Sequence, residues 1–129
     1  MEIKHLSNLS WYHLTLGPGA MLHQSLRDFL VKEGLRHAFV LSCIGSCTRV
    51  VAGFPKTKDI PPELGRVEYE GLFEMNTIAG DVRKTESEIR VHLHGSLTKE
   101  GKEVFGGAIQ EGTQIFKTAE LVIAGLKEA

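Results

Sequence analysis

Only one stretch of this chain spaces its apolar residues for a helix. Leu22, Leu26, Phe29 and Leu30 fall at i, i+4, i+7 and i+8 and share one face, while Arg27, Asp28, Lys32 and Glu33 fall away from it. Gly34 supplies the stop, because the residue after a helix often needs positive φ. Nearly everything else repeats with period two or runs as short β-rich segments, so the pattern predicts one helix among many strands.

The strands can be placed one by one. Trp11 to Leu16 alternates Tyr12, Leu14 and Leu16 against Trp11, His13 and Thr15, and Gly17-Pro18-Gly19 ends it. His37 to Ile44 is an apolar run of strand length, read as a central strand covered on both faces, with a turn at Gly45-Ser46. Cys47 to Phe54 resumes the sheet with Thr48, Val50 and Val51, and Pro55 to Gly65 reads as an exposed loop. Arg66 to Gly71 and Leu72 to Gly80 give two further strands. Ile89 to Leu97 places Ile89, Val91, Leu93, Gly95 and Leu97 on one side and Arg90, His92, His94 and Ser96 on the other. A turn at Lys99 to Lys102, a short return strand at Val104-Phe105 and a long strand over Gly112 to Gly125 complete the set. The expected fold class is therefore α+β, a mostly antiparallel β-sheet with one principal helix packed on it, as one domain over residues 1–129.

Composition narrows the function. The 129 residues carry 15 Lys and Arg against 16 Asp and Glu, a formal charge of -1, so no global field draws the chain to nucleic acid or anionic lipid. A DNA-binding role would need a local patch, for which Arg49, Lys56 and Lys58 are the candidates. No apolar run approaches the roughly 20 residues of a spanning helix. The polar Ser7-Asn8 stretch near the N-terminus is unlike a secretory h-region, so no membrane is expected as a partner and a cytoplasmic location is. In a reducing compartment Cys43 and Cys47 stay thiols, and both are expected to pack as small hydrophobes.

The chemistry-bearing pair is His92 and His94. Two residues apart on a strand, they share a face roughly 6 to 7 Å apart, so two imidazoles can converge on one point. Two readings stay open: a pair facing solvent or a subunit boundary, or a metal or ligand site. A metal site needs a third ligand, and Glu111, His23 and Cys43 are the side chains that a fold might bring to it. Ser46 lacks the setting of a nucleophile elbow, no phosphate loop is present, and Glu68, Glu70 and Glu74 read as the wet side of a sheet.

Leu14-Thr15-Leu16-Gly17-Pro18-Gly19, Ala38 to Ser46, Gly71-Leu72-Phe73-Glu74-Met75, Val91-His92-Leu93-His94-Gly95-Ser96-Leu97 and Gly106-Gly107 occur in one order and spacing. In that order the chain resembles the PPC domain, named for plants and prokaryotes conserved, in its stand-alone prokaryotic type. The resemblance implies an α+β fold assembled as a homotrimer. In the plant proteins the domain follows an AT-hook, and the segment matching Gly71 to Asn76 serves partner interaction, which points to Gly71, Phe73, Glu74 and Met75 here. The AT-hook core is absent, so its minor-groove contact does not carry over. Family members commonly place a third histidine after the paired glycines, forming with the two strand histidines a cluster suited to a metal such as zinc. That position is Ala108 in this chain. Three functions follow as expectations: a non-catalytic homotrimeric binding or assembly module with a ligand site at His92, His94 and Glu111; a metal-binding protein or metal-assisted enzyme using His92 and His94; or a DNA-binding protein.

Overall fold

A computed structural model describes residues 1–128. Its elements are β1 (Ser10–Leu16), α1 (Leu22–Lys32), β2 (Leu35–Pro55), β3 (Leu64–Lys84), β4 (Ile89–Lys99), β5 (Glu103–Ile109) and β6 (Gln114–Lys127). The six strands form one antiparallel sheet in the order β1-β6-β2-β3-β4-β5. A further pairing of Ala52 with Ile109 and of Gly53 with Ala108 brings β5 back onto β2, so the β2 to β5 portion closes on itself. The fold is the expected α+β class, mostly antiparallel sheet with a single helix.

Leu22, Leu26 and Leu30, the predicted stripe of α1, are fully buried, and each such burial contributes about 2 kcal/mol in area terms. They share one core with Leu35, Ala38, Val40, Ile78, Val82, Leu93, Leu121 and Ile123 from the strands. Gly34 stands at φ +64°, and its N–H donates to the Val31 carbonyl 3.1 Å away, the helix stop that the sequence implied.

Two expected breaks do not occur. β2 runs without interruption through Gly45 and Ser46, which pair with Met75 and Glu74 of β3, so Gly45-Ser46 is not a turn. Gly45 is needed there for another reason: it adopts φ +151°, and a Cβ would clash with the Thr118 carbonyl of β6. Likewise the two strands anticipated on either side of Gly71 are one, β3. The expected loop over Pro55 to Gly65 narrows to residues 56–63, and the return strand expected at Val104-Phe105 extends over Glu103–Ile109, through Gly106 and Gly107.

Alternation along β4 holds. Leu93 and Leu97 are buried while Arg90, His92 and His94 are exposed. The same period organises the outer side of β1, β6 and β2. There Trp11, Ala124 and Phe39 form one cross-strand row that continues to Asp81 and His92. Beside that row Trp11, Leu41, Ile44 and Val122 are 62%, 48%, 49% and 40% exposed, so the face away from the core is apolar and open.

Candidate functional site

β4 and its neighbours set the histidines. His92 pairs with Asp81 of β3, and His94 pairs with Ala79 on one side and Ala108 on the other. The two imidazoles meet with Nε2 atoms 3.1 Å apart and rings nearly perpendicular at 86°. Behind His92, Asp81 Oδ1 lies 3.9 Å from Nδ1, while Asp81 Oδ2 accepts from His37 Nε2 at 2.6 Å. Asp81 thus faces two imidazoles: it is hydrogen-bonded to His37, and it stands beyond hydrogen-bond reach of His92, on which it acts through its charge. Nothing in the sequence marked Asp81 or His37. Only the β3–β4 register reveals that residue 81 faces residue 92.

Separation of the Nε2 atoms permits a simple test of fit. At metal–nitrogen distances of about 2.0 to 2.1 Å, nitrogens 3.1 Å apart subtend about 100° at a shared ion, between octahedral and tetrahedral values. The same 3.1 Å also suits an N–H···N bond between two neutral rings. Among the described residues no group of three His, Cys, Asp or Glu side chains is arranged to hold a metal, so this chain offers two ligands and leaves the rest to water or another copy.

The other anticipated ligands are engaged elsewhere. Glu111 sits in the turn after β5 and pairs with Arg27 of α1, whose hydrogen bond holds the carboxyl below its usual range. His23, on the same helix, is buried, and its Nε2 lies 3.0 Å from the Ile109 carbonyl oxygen, to which an Nε2–H donates. Its Nδ1 is buried without a partner among the described residues. Desolvation pushes the His23 pKa down, against the pull of Glu111 and of the Ile109 bond. Cys43 and Cys47 are buried on one strand, and burial pushes both thiols up to about 12, which leaves them unreactive.

Within the Gly71 to Met75 segment, Phe73 and Met75 are core residues at 3% and 4% exposure, whereas Gly71, Leu72 and Glu74 face outward. Phe73 packs edge-on to Phe105 and Tyr69. Of the cations proposed for a DNA patch, Arg49 pairs with Glu68 at 3.0 Å and Lys56 with Glu63 at 3.4 Å; Lys58 lies in the exposed loop. Two of the three candidate charges are therefore already opposed by carboxylates.

Comparison with known proteins agrees with the fold. The model of the Plants and Prokaryotes Conserved (PCC) domain matches residues 4–127. A plant- and prokaryote-conserved protein of Pyrococcus horikoshii superposes with a TM-score of 0.83 at 26% identity, over 99% of this chain and 87% of that one. A metal-containing protein from Archaeoglobus fulgidus does so at the same score and identity, over 100% and 89%. A candidate DNA-binding protein from Bacteroides thetaiotaomicron, at 15% identity and a TM-score of 0.80, shares the fold. Among curated sequences the chain is 28% identical over 121 residues to the bifunctional protein GlmU of Synechococcus sp. (strain JA-2-3B'a(2-13)), covering 94% of this chain and only 18% of that protein. The chain thus corresponds to less than a fifth of that relative.

Proposed function

Because the chain belongs to the Plants and Prokaryotes Conserved domain family, we propose that it is a non-catalytic module that assembles as a homotrimer and holds a ligand where the copies meet. One observation carries this reading. The outer face of β1, β6 and β2 leaves Trp11, Leu41, Ile44 and Val122 open to water, on the side of the sheet that α1 does not cover. A second copy seated there would remove that apolar surface from water, and the Phe39–Asp81–His92 row would bring the histidines to the edge of the contact. Light scattering after size exclusion is expected to give three times the 14.2 kDa of one chain. A stable 14.2 kDa particle at micromolar concentration would end the assembly reading.

A metal-binding reading is favoured by a separate observation, the 3.1 Å approach of two Nε2 atoms with Asp81 behind one ring. Zinc held there would supply Lewis acidity. His92 and His94 would ligate it, and the Asp81 carboxylate 3.9 Å behind His92 would add negative charge near the ion. Its resemblance to a metal-containing archaeal protein at 26% identity agrees. Elemental mass spectrometry on untagged protein purified without chelator is expected to show metal that disappears in the His92→Ala/His94→Ala double variant. Metal retained by the double variant would place it elsewhere.

A further inference from the structure

The closure of β5 onto β2 creates a concavity that neither function above uses. A cavity of about 510 Å³, within the range of small-molecule sites, opens beside His94. Its floor is one cross-strand row, Arg66–Gly53–Ala108–His94, in which each residue pairs with the next. Residues paired in this way point to the same side. The two middle positions carry no side chain or a single methyl, and the Gln110 side chain lies over Gly53, so the floor is low, with a methyl and an amide between two nitrogen-bearing ends.

Phe54, Pro62 and Leu64 form the wall around that floor. Phe54 and Leu64 remain 42% and 71% exposed, so the lip is apolar and open to water. The Phe54 ring is seated over Gly65, where any Cβ would run into it, and a Cβ on Gly53 would come within 2.9 Å of the Gln110 amide nitrogen. The wall and the floor are thus formed before any ligand arrives.

Charge decides the class of occupant. Among the described residues no acidic side chain lines the cavity. Glu68, outside it, serves two guanidinium groups at once, Arg66 and Arg49, each at 3.0 Å. One carboxylate against two guanidiniums leaves positive charge at the Arg66 end, where a guanidinium can meet a carboxylate through two parallel N–H···O bonds.

We propose that this pocket binds a small amphipathic anion, its flat apolar body lying on Ala108 beside the Gln110 amide, between Phe54 and Leu64, and its carboxylate or sulfonate at Arg66. The lining comes from one chain, so the pocket takes one ligand per chain.

The test uses 2-naphthoate and its uncharged counterpart 2-naphthalenemethanol, titrated into the purified 129-residue protein and followed by calorimetry and amide chemical shifts. Naphthoate is expected to bind once per chain, at least tenfold more tightly than the alcohol, with the largest shifts at Gly53, Gly65 and Ala108. Arg66→Gln should erase the tenfold preference and leave the alcohol unchanged. Ala108→Leu fills the floor and should abolish both. Phe54→Ala, at a largely exposed ring, provides a second variant if Ala108→Leu melts early, and should weaken both probes at least fivefold. Equal affinity for the two probes, shifts centred elsewhere, or naphthoate binding unaffected by Arg66→Gln and Phe54→Ala would overturn the proposal. So would a wild type that binds neither probe while Ala108→Leu lowers the particle mass, since the pocket would then be the seat of a second copy.

Discussion

Along β2, Ala38, Val40 and Cys43 are buried in the core that α1 closes, whereas Phe39, Leu41 and Ile44 on the same strand stand on the other side, with Leu41 and Ile44 about half exposed. Both sets are apolar and both sit at the centre of the sheet. What separates them is cover: the helix stripe of Leu22, Leu26 and Leu30 fits one face, and among the described residues no element covers the other. Residues of one type can thus serve two ends, stability where the helix lies and association where it does not. Mutations that unfold the protein should fall on the first face, and mutations that change its company or its ligands on the second.

The largest effect on unfolding belongs to the covered face. Leu26→Ala removes a side chain with no exposed area and leaves a cavity under the helix, for which about 2–5 kcal/mol is expected. Urea unfolding monitored by circular dichroism measures it. A loss under about 1 kcal/mol would mean that the helix is held less tightly than its burial indicates.

His23 tests the same face by pH. Burial lowers its folded pKa, so between that value and 6.5 the unfolded chain binds the proton and the folded chain does not. Stability is therefore full above pH 6.5 and declines as the pH falls below it. Glu111, held low by Arg27, adds a separate loss in a more acidic window, as the pH falls below 4.5. His23→Gln should flatten the decline that sets in below pH 6.5 while leaving the acidic one in place. An identical slope in wild type and variant would show that the buried imidazole is not what senses the change.

On the open face the expectation reverses. Ile44→Glu adds a charge at a half-exposed position and should change the unfolding free energy of the single chain by no more than about 0.5 kcal/mol. Its effect is on association, because a buried unpaired carboxylate at a contact between copies weakens it at least tenfold. Sedimentation velocity across a dilution series measures this. Unchanged association would move the contact to another part of the surface.

The covered side of this division was legible in the sequence and the open side was not, since His37 to Ile44 reads as a strand covered on both faces whereas Leu41 and Ile44 are about half exposed; the reasons differ by element. The helix stripe, its Gly34 stop and the alternation around His92 and His94 follow from short-range periodicity, which the fold preserves. Gly45 and Gly71 misled because a glycine signals either a turn or a close approach of backbone, and local sequence does not separate the two. The partners of the site were invisible for a further reason. Asp81 and Ala108 meet His92 and His94 only through strand register, and Glu111, near in sequence to β5, is drawn instead to Arg27 on the helix. Long-range pairing leaves no mark at the paired positions themselves.

Ala108 offers the finest test of the contrast, since it lies on the open side directly opposite His94. An imidazole introduced by A108H would start about 5 Å from that of His94 at the β-carbons, close enough for both to reach one ion. Because the position is only half-buried and outside the core cluster, the cost to unfolding should stay within about 0.5 kcal/mol. Zinc affinity, measured by competition with a chromogenic chelator, should rise at least tenfold as the two-ligand set becomes three. His94→Ala placed on top of A108H should undo the gain. If A108H binds zinc no better than wild type, the His92–His94 pair is a hydrogen-bonded pair of rings and not the remainder of a metal centre, and the open face keeps only its roles in assembly and small-anion binding. If it gains affinity without losing stability, the face that the helix leaves bare can be re-equipped for binding at almost no cost to the fold, as the separation of the two faces requires.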